Sequence, residues 1–257
     1  MRLTVVGCSG SVPGPASPAS CYLLEADDAD GRTWRVVFDL GSGALGALQK
    51  YCDPREIDAV AISHLHPDHC ADLAGLHTYL SYHPDGRKET VVYGPFGTAG
   101  RIAELRGEAD STGVLATFAW QSGSTVEIGP ISIRTESVTH SVPAYAMRIE
   151  GPSDTSPDER SVLAYSGDSD VCEGLALVAS GADAFVCEAS FLEGDDVPPG
   201  LHVTAADAGR VATDAGCARL IVTHLPPWGD PNATRIEVGE HYSGPIDLAR
   251  PGMRIVV

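Results

Sequence analysis

The stretch that decides the fold is His64-Leu65-His66-Pro67-Asp68-His69, which places three imidazoles and one carboxylate within six residues. Imidazole nitrogens and carboxylate oxygens are the donors that zinc-like divalent ions take in proteins. Without a cation, groups packed this closely would repel one another or lack hydrogen-bond partners. The pattern H-x-H-x-D-H therefore predicts a metal site rather than a solvated histidine-rich turn.

The segments on either side of this motif predict a rigid support for it. Residues 57–63 (IDAVAIS) form a short apolar run, long enough for a buried strand and too short for a helix. Residues 72–79 (DLAGLHTY) carry apolar side chains at helical spacing. We therefore expect the motif to be a loop held between the end of a strand and the start of a helix.

Three more candidate ligands follow along the chain, each at the end of a strand-like apolar run: His140 in SVTHS, Asp168 in YSGDSD and His224 in IVTHLPPW. With them, the sequence resembles the metallo-beta-lactamase-fold hydrolases, whose motifs occur in this order around two metal ions. The resemblance implies a first metal bound by His64, His66, His140 and Asp168, and a second bound by Asp68, His69, Asp168 and His224. Two zinc ions are the first expectation, and such donors also accept manganese or iron.

The same resemblance implies the fold class. It is an α/β fold, the αββα sandwich, in which two mixed sheets are flanked by helices. The order of predicted elements agrees with it, because two runs of strands and helices each end in candidate ligands. A chain of 257 residues can form one large domain, and we expect a single metallo-beta-lactamase-like domain over residues 1–257.

Two glycine-containing turns resemble those of the ribonuclease Z branch of this family. The loop at residues 7–18 (GCSGSVPGPASP) is similar to that branch's G-x-G-S type loop, which lies beside the metal site. The segment at residues 39–43 (DLGSG) resembles the family's D-x-G turn. The resemblance implies that Asp39 orients the first metal loop without being a ligand itself.

Two further motifs of that branch supply candidate catalytic residues. Residues 187–190 (CEAS) resemble its H-E-A-T motif, with Cys in place of His, and residues 201–204 (LHVT) resemble its H-S-T motif. The resemblance implies that His202 protonates the leaving group and that Glu188 orients His202. Asp68 would orient the attacking water while acting as a ligand.

The charge of the chain argues against a long nucleic acid as partner. There are 17 basic and 35 acidic residues, a formal net charge of −18, and the sequence has only two Lys residues and no basic run. Nucleic-acid binding needs clusters of Lys and Arg that displace condensed counterions. A small anionic phosphodiester can still reach a site whose local field is set by bound cations.

Cysteine usage and hydropathy predict the compartment. The seven Cys residues are odd in number, form no C-x-x-C pair and follow no secretory leader, so a reduced, cytoplasmic interior is expected. No run of about eighteen apolar residues occurs, so no membrane span is expected. Relatives of this branch are often dimers, and a homodimer is therefore an expectation.

The remaining chain predicts a β-rich middle and a well-capped helix. Residues 118–150 read as short strands, with a hairpin turn at residues 127–130 (EIGP), and residues 151–160 read as a polar loop. Thr204 is a predicted N-cap, and Gly216 is predicted to close the same helix.

The combination GCSGSVPGP, PASCYLLE, YSGD, CEAS and THLPPW is similar, over most of the chain, to a group of bacterial proteins that includes atypical class II cyclic-nucleotide phosphodiesterases. The similarity implies hydrolysis of a small phosphodiester, with 3′,5′-cyclic AMP as the first expectation. A ribonuclease Z-like nuclease acting on tRNA precursors is the main alternative. Its tRNA-gripping arm is commonly inserted between the third and fourth motifs, where only 27 residues separate His140 from Asp168 here. Lactone or thioester hydrolysis and a non-catalytic metal-binding protein of the same fold are further alternatives.

Overall fold

Two mixed seven-stranded sheets form the centre of the molecule. The computed structural model describes residues 1–108, 113–156, 159–196 and 198–257. The first sheet contains β1 (Arg2–Gly7), β2 (Cys21–Asp27), β3 (Thr33–Phe38), β4 (Ala59–Ala61), β5 (Thr90–Gly94), β6 (Leu115–Ala119) and β14 (Arg254–Val256). The second contains β7 (Thr125–Ile128), β8 (Ile131–Val138), β9 (Ala144–Pro152), β10 (Arg160–Tyr165), β11 (Ala184–Glu188), β12 (Leu220–Thr223) and β13 (Ile246–Leu248).

Each sheet has an antiparallel part and a parallel part. The first runs in the order β14-β1-β2-β3-β4-β5-β6 and is parallel from β3 to β6. The second runs in the order β13-β12-β11-β10-β9-β8-β7 and is parallel from β10 to β13. Parallel neighbours place their carboxyl ends at the same edge of a sheet, which is where ligands bind in open α/β sheets.

Helices cover the outer face of each sheet. The helices are α1 (Ala44–Leu48), α2 (Pro67–Cys70), α3 (Leu73–Tyr82), α4 (Thr98–Arg106), α5 (Glu173–Ala179), α6 (Ala205–Asp214) and α7 (Pro231–His241). Apolar residues of α1 to α4 pack on the first sheet, and those of α5 to α7 pack on the second. A third apolar cluster lies between the two sheets. The predicted αββα sandwich with two mixed sheets is therefore confirmed.

The alternation of side chains along β1 shows how one strand serves two of these layers. Leu3 and Val5 belong to the cluster between the sheets, and Val6 belongs to the cluster under α1 to α4. Successive side chains of a strand point to opposite faces, so a strand buried on both sides reads as a continuous apolar run. None of the described helices is long and apolar enough to cross a bilayer.

The motif at residues 64–69 was predicted to be a loop, but only its first half is one. Its second half is the one-turn helix α2, for which His66 is the extended N-cap residue. Pro67 occupies the first helical position, where its missing N–H costs nothing and its fixed φ suits the helix. The turn places Asp68 and His69 on the inner side of the protein, and both are buried.

The β-rich middle also differs from the prediction in its boundaries. Phe118 belongs to β6 and pairs with Tyr93 in the first sheet, so the predicted run of strands divides between the two sheets. The expected polar loop at 151–160 is shorter, because Gly151 and Pro152 continue β9 and pair with β10. Residues 157 and 158 of that loop lie outside the described ranges.

The predicted caps of α6 are confirmed. Thr204 Oγ1 accepts a hydrogen bond from Asp207 N at 3.1 Å, and Asp207 Oδ2 accepts one from Thr204 N at 3.3 Å. Gly216 follows the helix with φ of 66°, a conformation that glycine adopts without steric cost. This reciprocal cap fixes the start of α6 at Ala205, three residues after His202.

Candidate metal centre and catalytic pair

Segments that leave strand ends in both sheets converge at one edge of the sandwich. The candidate ligands come from the segments after β4, β8, β10 and β12, namely His64, His66, Asp68, His69, His140, Asp168 and His224. Among the described residues, they fall into two groups whose ligand atoms lie close enough to share a cation. The structure therefore brings together all seven predicted ligands.

The first group consists of three histidines with their ring nitrogens turned inward. His66 Nδ1 lies 3.1 Å from His64 Nε2 and 3.2 Å from His140 Nε2. A tetrahedral zinc ion with bonds of 2.0–2.1 Å separates its ligand atoms by about 3.3 Å. Both distances from His66 Nδ1 match the separation of two ligand atoms in such a coordination sphere.

The second group adds carboxylates and is more deeply buried. His69 Nε2 lies 3.2 Å from His224 Nε2 and 3.1 Å from Asp168 Oδ1. His224 Nε2 lies 3.2 Å from Asp68 Oδ2. All four side chains are buried. Two imidazoles and two carboxylates at these distances form a donor set suited to a hard or borderline divalent cation.

Asp168 faces both groups. Its Oδ2 lies 3.7 Å from His64 Nε2 in the first group and 3.4 Å from His224 Nε2 in the second. Its Oδ1 is buried and lacks a hydrogen bond of good geometry, although His69 Nε2 lies 3.1 Å away. An orphaned carboxylate oxygen in a protein interior is costly and is commonly explained by an ion. The position of Asp168 fits the shared ligand that the sequence predicted.

Hydrogen bonds on the far side of the rings determine which nitrogen is free. Four of the five imidazoles in the two groups direct Nδ1 at a protein acceptor. The acceptors are Ser63 Oγ for His64 at 3.1 Å, Asp39 Oδ2 for His69 at 2.7 Å, Leu201 O for His140 at 2.7 Å and Ser190 Oγ for His224 at 2.9 Å. A neutral ring with a proton on Nδ1 carries its lone pair on Nε2, which here points into the groups. The tautomers that these contacts favour are those required for metal binding.

Burial and charge set the protonation of the histidines in the first group. Burial, together with neighbouring His69, lowers the pKa of His64 well below its usual value. Burial, together with neighbouring His140, lowers the pKa of His66. These rings are therefore neutral at pH 7, and a neutral imidazole is the form that ligates metals.

The second group has the opposite electrostatic character. Burial would raise the pKa of the Asp68 carboxyl, but hydrogen bonds from His224 and His69 outweigh it and lower that pKa. Burial would lower the pKa of His69, but the charges of Asp168 and Asp39 outweigh it and raise that pKa well above its usual value. The excess of buried negative charge favours a cation, and a divalent ion can take the place of the His69 proton.

Asp39 lies behind the segment that carries His64 to His69 and is hydrogen-bonded to it. The buried carboxylate accepts hydrogen bonds from Ser63 N at 2.7 Å, Ser63 Oγ at 2.8 Å, His69 Nδ1 at 2.7 Å and Tyr165 Oη at 2.6 Å. The roles of Ser63 and Tyr165 were not predicted. Tyr165 stands in the quoted YSGD stretch, but its partner lies 126 residues away, and spacing along the chain does not reveal such a contact.

Asp39→Asn should weaken metal binding about 10- to 100-fold, because outer groups of this kind orient the ligating ring. Asn accepts the left-handed backbone of residue 39, whose φ is 54°, so the turn is retained. Affinity can be measured by zinc competition with a chromogenic chelator. Asp28→Asn, at an exposed hairpin turn, is the matched control. Unchanged zinc affinity in Asp39→Asn would contradict the assigned role.

His202 and Glu188 form a separate pair next to the two groups. His202 Nδ1 lies 2.9 Å from both Glu188 carboxylate oxygens. Burial would lower the pKa of His202, but the charge of Glu188 and its hydrogen bond outweigh it and raise that pKa to about 9. The His202 ring centroid lies 5.2 Å from that of His140 and 5.6 Å from that of His224. The pair places a protonated imidazole beside the candidate metal site.

Ser190 connects this pair to the second group, a role that was not predicted. Its Oγ donates to Glu188 Oε2 at 2.7 Å and lies 2.9 Å from His224 Nδ1. Glu188 also accepts a hydrogen bond from Ser169 N at 2.8 Å, so the buried carboxylate is fully satisfied. The sequence signal was present, since Ser190 ends the CEAS motif in which only Glu188 received a role.

The backbone around the site adopts uncommon conformations. Among the described residues, Ser11, Asp39 and His224 are the three non-glycine residues with positive φ. The predicted position of the amino-terminal loop beside the site is confirmed, because Ser11 N lies 3.4 Å from His224 Nε2. A Cβ at Gly10 would lie 2.2 Å from the His224 carbonyl oxygen, so only glycine permits this approach.

Comparison with known proteins places these features in a family context. Residues 35–225 match the family model described as the Beta-lactamase superfamily domain. The uncharacterized protein ML1173 of Mycobacterium leprae is 40% identical over 258 residues, which cover 98% of this chain and 87% of that protein. The "Probable metallo-hydrolase YhfI" of Bacillus subtilis is 29% identical over 255 residues, with 98% of both chains covered.

Solved structures show the same architecture. The crystal structure of the metallo-beta-lactamase fold protein YhfI from Bacillus subtilis superimposes with a TM-score of 0.85 at 28% identity, covering 99% of this chain and 98% of that one. Human tRNase Z, short form, superimposes with a TM-score of 0.76 at 20% identity, covering 100% of this chain and 99% of that one. The second similarity concerns the fold alone.

Proposed function

Because the chain belongs to the beta-lactamase superfamily and carries the His/Asp site of a metal-dependent hydrolase, we propose that it hydrolyses a small phosphodiester, with 3′,5′-cyclic AMP as the leading substrate. When bound, divalent cations supply a water of lowered pKa and neutralise the non-bridging oxygens of the phosphate. The candidate ligands for one ion are His64, His66, His140 and Asp168, and those for a second are Asp68, His69, Asp168 and His224.

The Glu188–His202 pair is the observation that carries the proposal. Cleavage of a phosphodiester releases an alkoxide, which is a poor leaving group unless it receives a proton. His202 is held protonated by a fully buried carboxylate and lies beside both groups of ligands. His202 donates the proton to the departing sugar oxygen, and Glu188 holds the His202 ring in the orientation that this transfer requires. Asp68 has a carboxylate oxygen in the second group, and its proposed role is to accept a hydrogen bond from the attacking water.

Charge and topology support a small substrate over a long RNA. The interval between His140 and Asp168 is occupied by β9 and β10, with only residues 153–159 connecting them, which leaves little room for an extended RNA-gripping arm. The net charge of −18 opposes a polyanion over a wide surface. A cyclic mononucleotide carries one negative charge and needs no such surface.

The test is turnover of 3′,5′-cyclic AMP beside a precursor tRNA, using protein of measured metal content. We expect release of AMP by the wild type and its loss in His66→Ala. Cleavage of the RNA without cyclic AMP turnover would instead support a ribonuclease Z-like nuclease. If neither these substrates nor bis(p-nitrophenyl) phosphate is cleaved, the phosphodiesterase assignment fails.

Glu188→Gln should move the alkaline limb of kcat/KM for cyclic AMP to lower pH. His202 must be protonated to donate, so activity is lost as the pH rises through its pKa. The Glu188 charge raises that pKa and a neutral Gln does not, and an opposite charge at hydrogen-bond distance is worth about 1–3 pH units. The pH profiles of the two proteins check this. A limb that stays in place would exclude His202 as the group titrating there.

A further inference from the structure

We infer that the cavity between the segments following β11 and β12 binds the nucleobase of the substrate, and this inference rests on the proposed function. The cavity has a volume of about 430 Å³, within the usual range for small-molecule sites. One wall is formed by residues 189–192 and the other by residues 225–230. Since β11 and β12 are parallel neighbours, the cavity lies in the crevice beyond their carboxyl ends.

The cavity lies next to the candidate catalytic site, since three of its lining residues contact site histidines. Ser190 and Ser11 line it, and both contact the His224 ring, at 2.9 Å from Nδ1 and 3.4 Å from Nε2 respectively. Phe191 also lines it, with its ring centroid 5.8 Å from that of His202. A ligand with its phosphate at the His/Asp groups therefore extends its sugar substituent into this cavity.

Aromatic surface in the cavity suits a flat heterocycle. Trp228 is 73% exposed although tryptophan is among the most hydrophobic side chains, and it lines the cavity opposite Phe191. The turn that carries it is stiff, because it begins with Pro226 and Pro227 and is closed by a hydrogen bond from Gly229 N to Pro226 O at 2.9 Å. An exposed indole carried on a stiff turn is a stacking surface for a base.

The polar groups of the cavity favour a base that donates hydrogen bonds. Asp195, Asp196 and Asp230 line it, and none of its described lining residues is Arg, Lys or His. Asp195 and Asp230 each hold backbone amides of their own segments, which fixes their positions. Carboxylates accept hydrogen bonds from amino groups such as that of adenine, and they repel the keto oxygens of uracil and any second phosphate. The site therefore selects an amino-bearing base attached to a single phosphodiester.

The test measures the contribution of the base to kcat/KM separately from that of the cyclic phosphodiester. It uses 3′,5′-cyclic AMP and methyl riboside 3′,5′-cyclic phosphate, which has the same phosphodiester and no base. In Trp228→Ala, the ratio of kcat/KM for cyclic AMP to kcat/KM for the abasic ester should fall about tenfold. Tyr82→Ala removes an aromatic ring that is 81% exposed on α3 and should leave the ratio unchanged.

Discrimination between two bases gives a second test, for which the direction of the change is predicted. In Asp196→Asn, the ratio of kcat/KM for cyclic AMP to that for 3′,5′-cyclic UMP should fall about fivefold or more, because the amide can donate to the uracil oxygen. Equal wild-type turnover of cyclic AMP and the abasic ester would overturn the inference while the proposed function stands. Turnover of neither ester would remove cyclic nucleotides as the proposed substrate, and the inference would fall with them.

Discussion

Asp168→Asn should lower kcat/KM for cyclic AMP at least about a thousandfold and should strip metal from the protein. The two carboxylate oxygens of Asp168 face both groups of candidate ligands, at 3.1 Å from His69, 3.4 Å from His224 and 3.7 Å from His64. The amide removes the charge and turns an N–H towards ring nitrogens that carry lone pairs. Metal-ion catalysis is worth several kcal/mol, and each 1.36 kcal/mol is a factor of ten in rate.

Two measurements separate this effect from damage to the fold. Metal per chain, determined by elemental analysis after dialysis, should fall in Asp168→Asn, and the far-UV circular dichroism should be unchanged. Asp183→Asn is the control for loss of a carboxylate away from the site, because exposed Asp183 accepts the Val162 backbone amide at 2.7 Å at the opposite end of the second sheet. Full metal content and activity in Asp168→Asn would show that Asp168 is not a ligand.

His202→Asn should lower kcat/KM for cyclic AMP about 10²- to 10⁴-fold, the usual contribution of a general acid. Asn keeps a donor near the position of Nδ1, so Glu188 retains a partner and the buried carboxylate is not left unsatisfied. The same variant should lose much less activity on bis(p-nitrophenyl) phosphate, because p-nitrophenolate is stable without a proton. The dependence on the leaving group identifies proton donation rather than a general loss of structure.

His241→Asn provides the comparison for this variant. His241 lies in the last turn of α7, and its Nε2 is 3.4 Å from an Arg210 guanidinium nitrogen, away from the site. It should retain wild-type turnover of both esters. If His202→Asn lost equal activity on both esters, His202 would act in binding or folding instead of protonating the leaving group.

The candidate ligands could be located from sequence because each of four segments places one where an apolar run ends. His64, His140, Asp168 and His224 all follow strands, and the convergence of strand ends at one edge is a general property of such sheets. The pairing of strands that are not linked by a short turn is harder to predict from the sequence. Nothing near Leu115–Ala119 in the chain indicates that this strand joins β5 in the first sheet.

Helix α7 and strands β13 and β14, near the carboxyl terminus, were not predicted because their sequences carry weak signals. Helix α7 contains Asn232, Thr234 and Gly239, which are weak helix formers, and it buries only Thr234 and Val238. It is held at its start by Asp230, whose side chain accepts from Asn232 N at 2.9 Å, and by packing on α6. Strands β13 and β14 have three residues each, too short for a period to be visible.

The left-handed backbone at His224 implies a conflict between folding and activity. A non-glycine residue in such a conformation costs about 1–3 kcal/mol, which the surrounding structure must offset. Glycine or asparagine would adopt the same φ at lower cost, but neither supplies an imidazole. A library selected only for thermal stability should therefore enrich His224→Gly and His224→Asn, and the enriched chains should be inactive. Selection for turnover alone preserves histidine at this position, and the protein remains less stable than its fold allows.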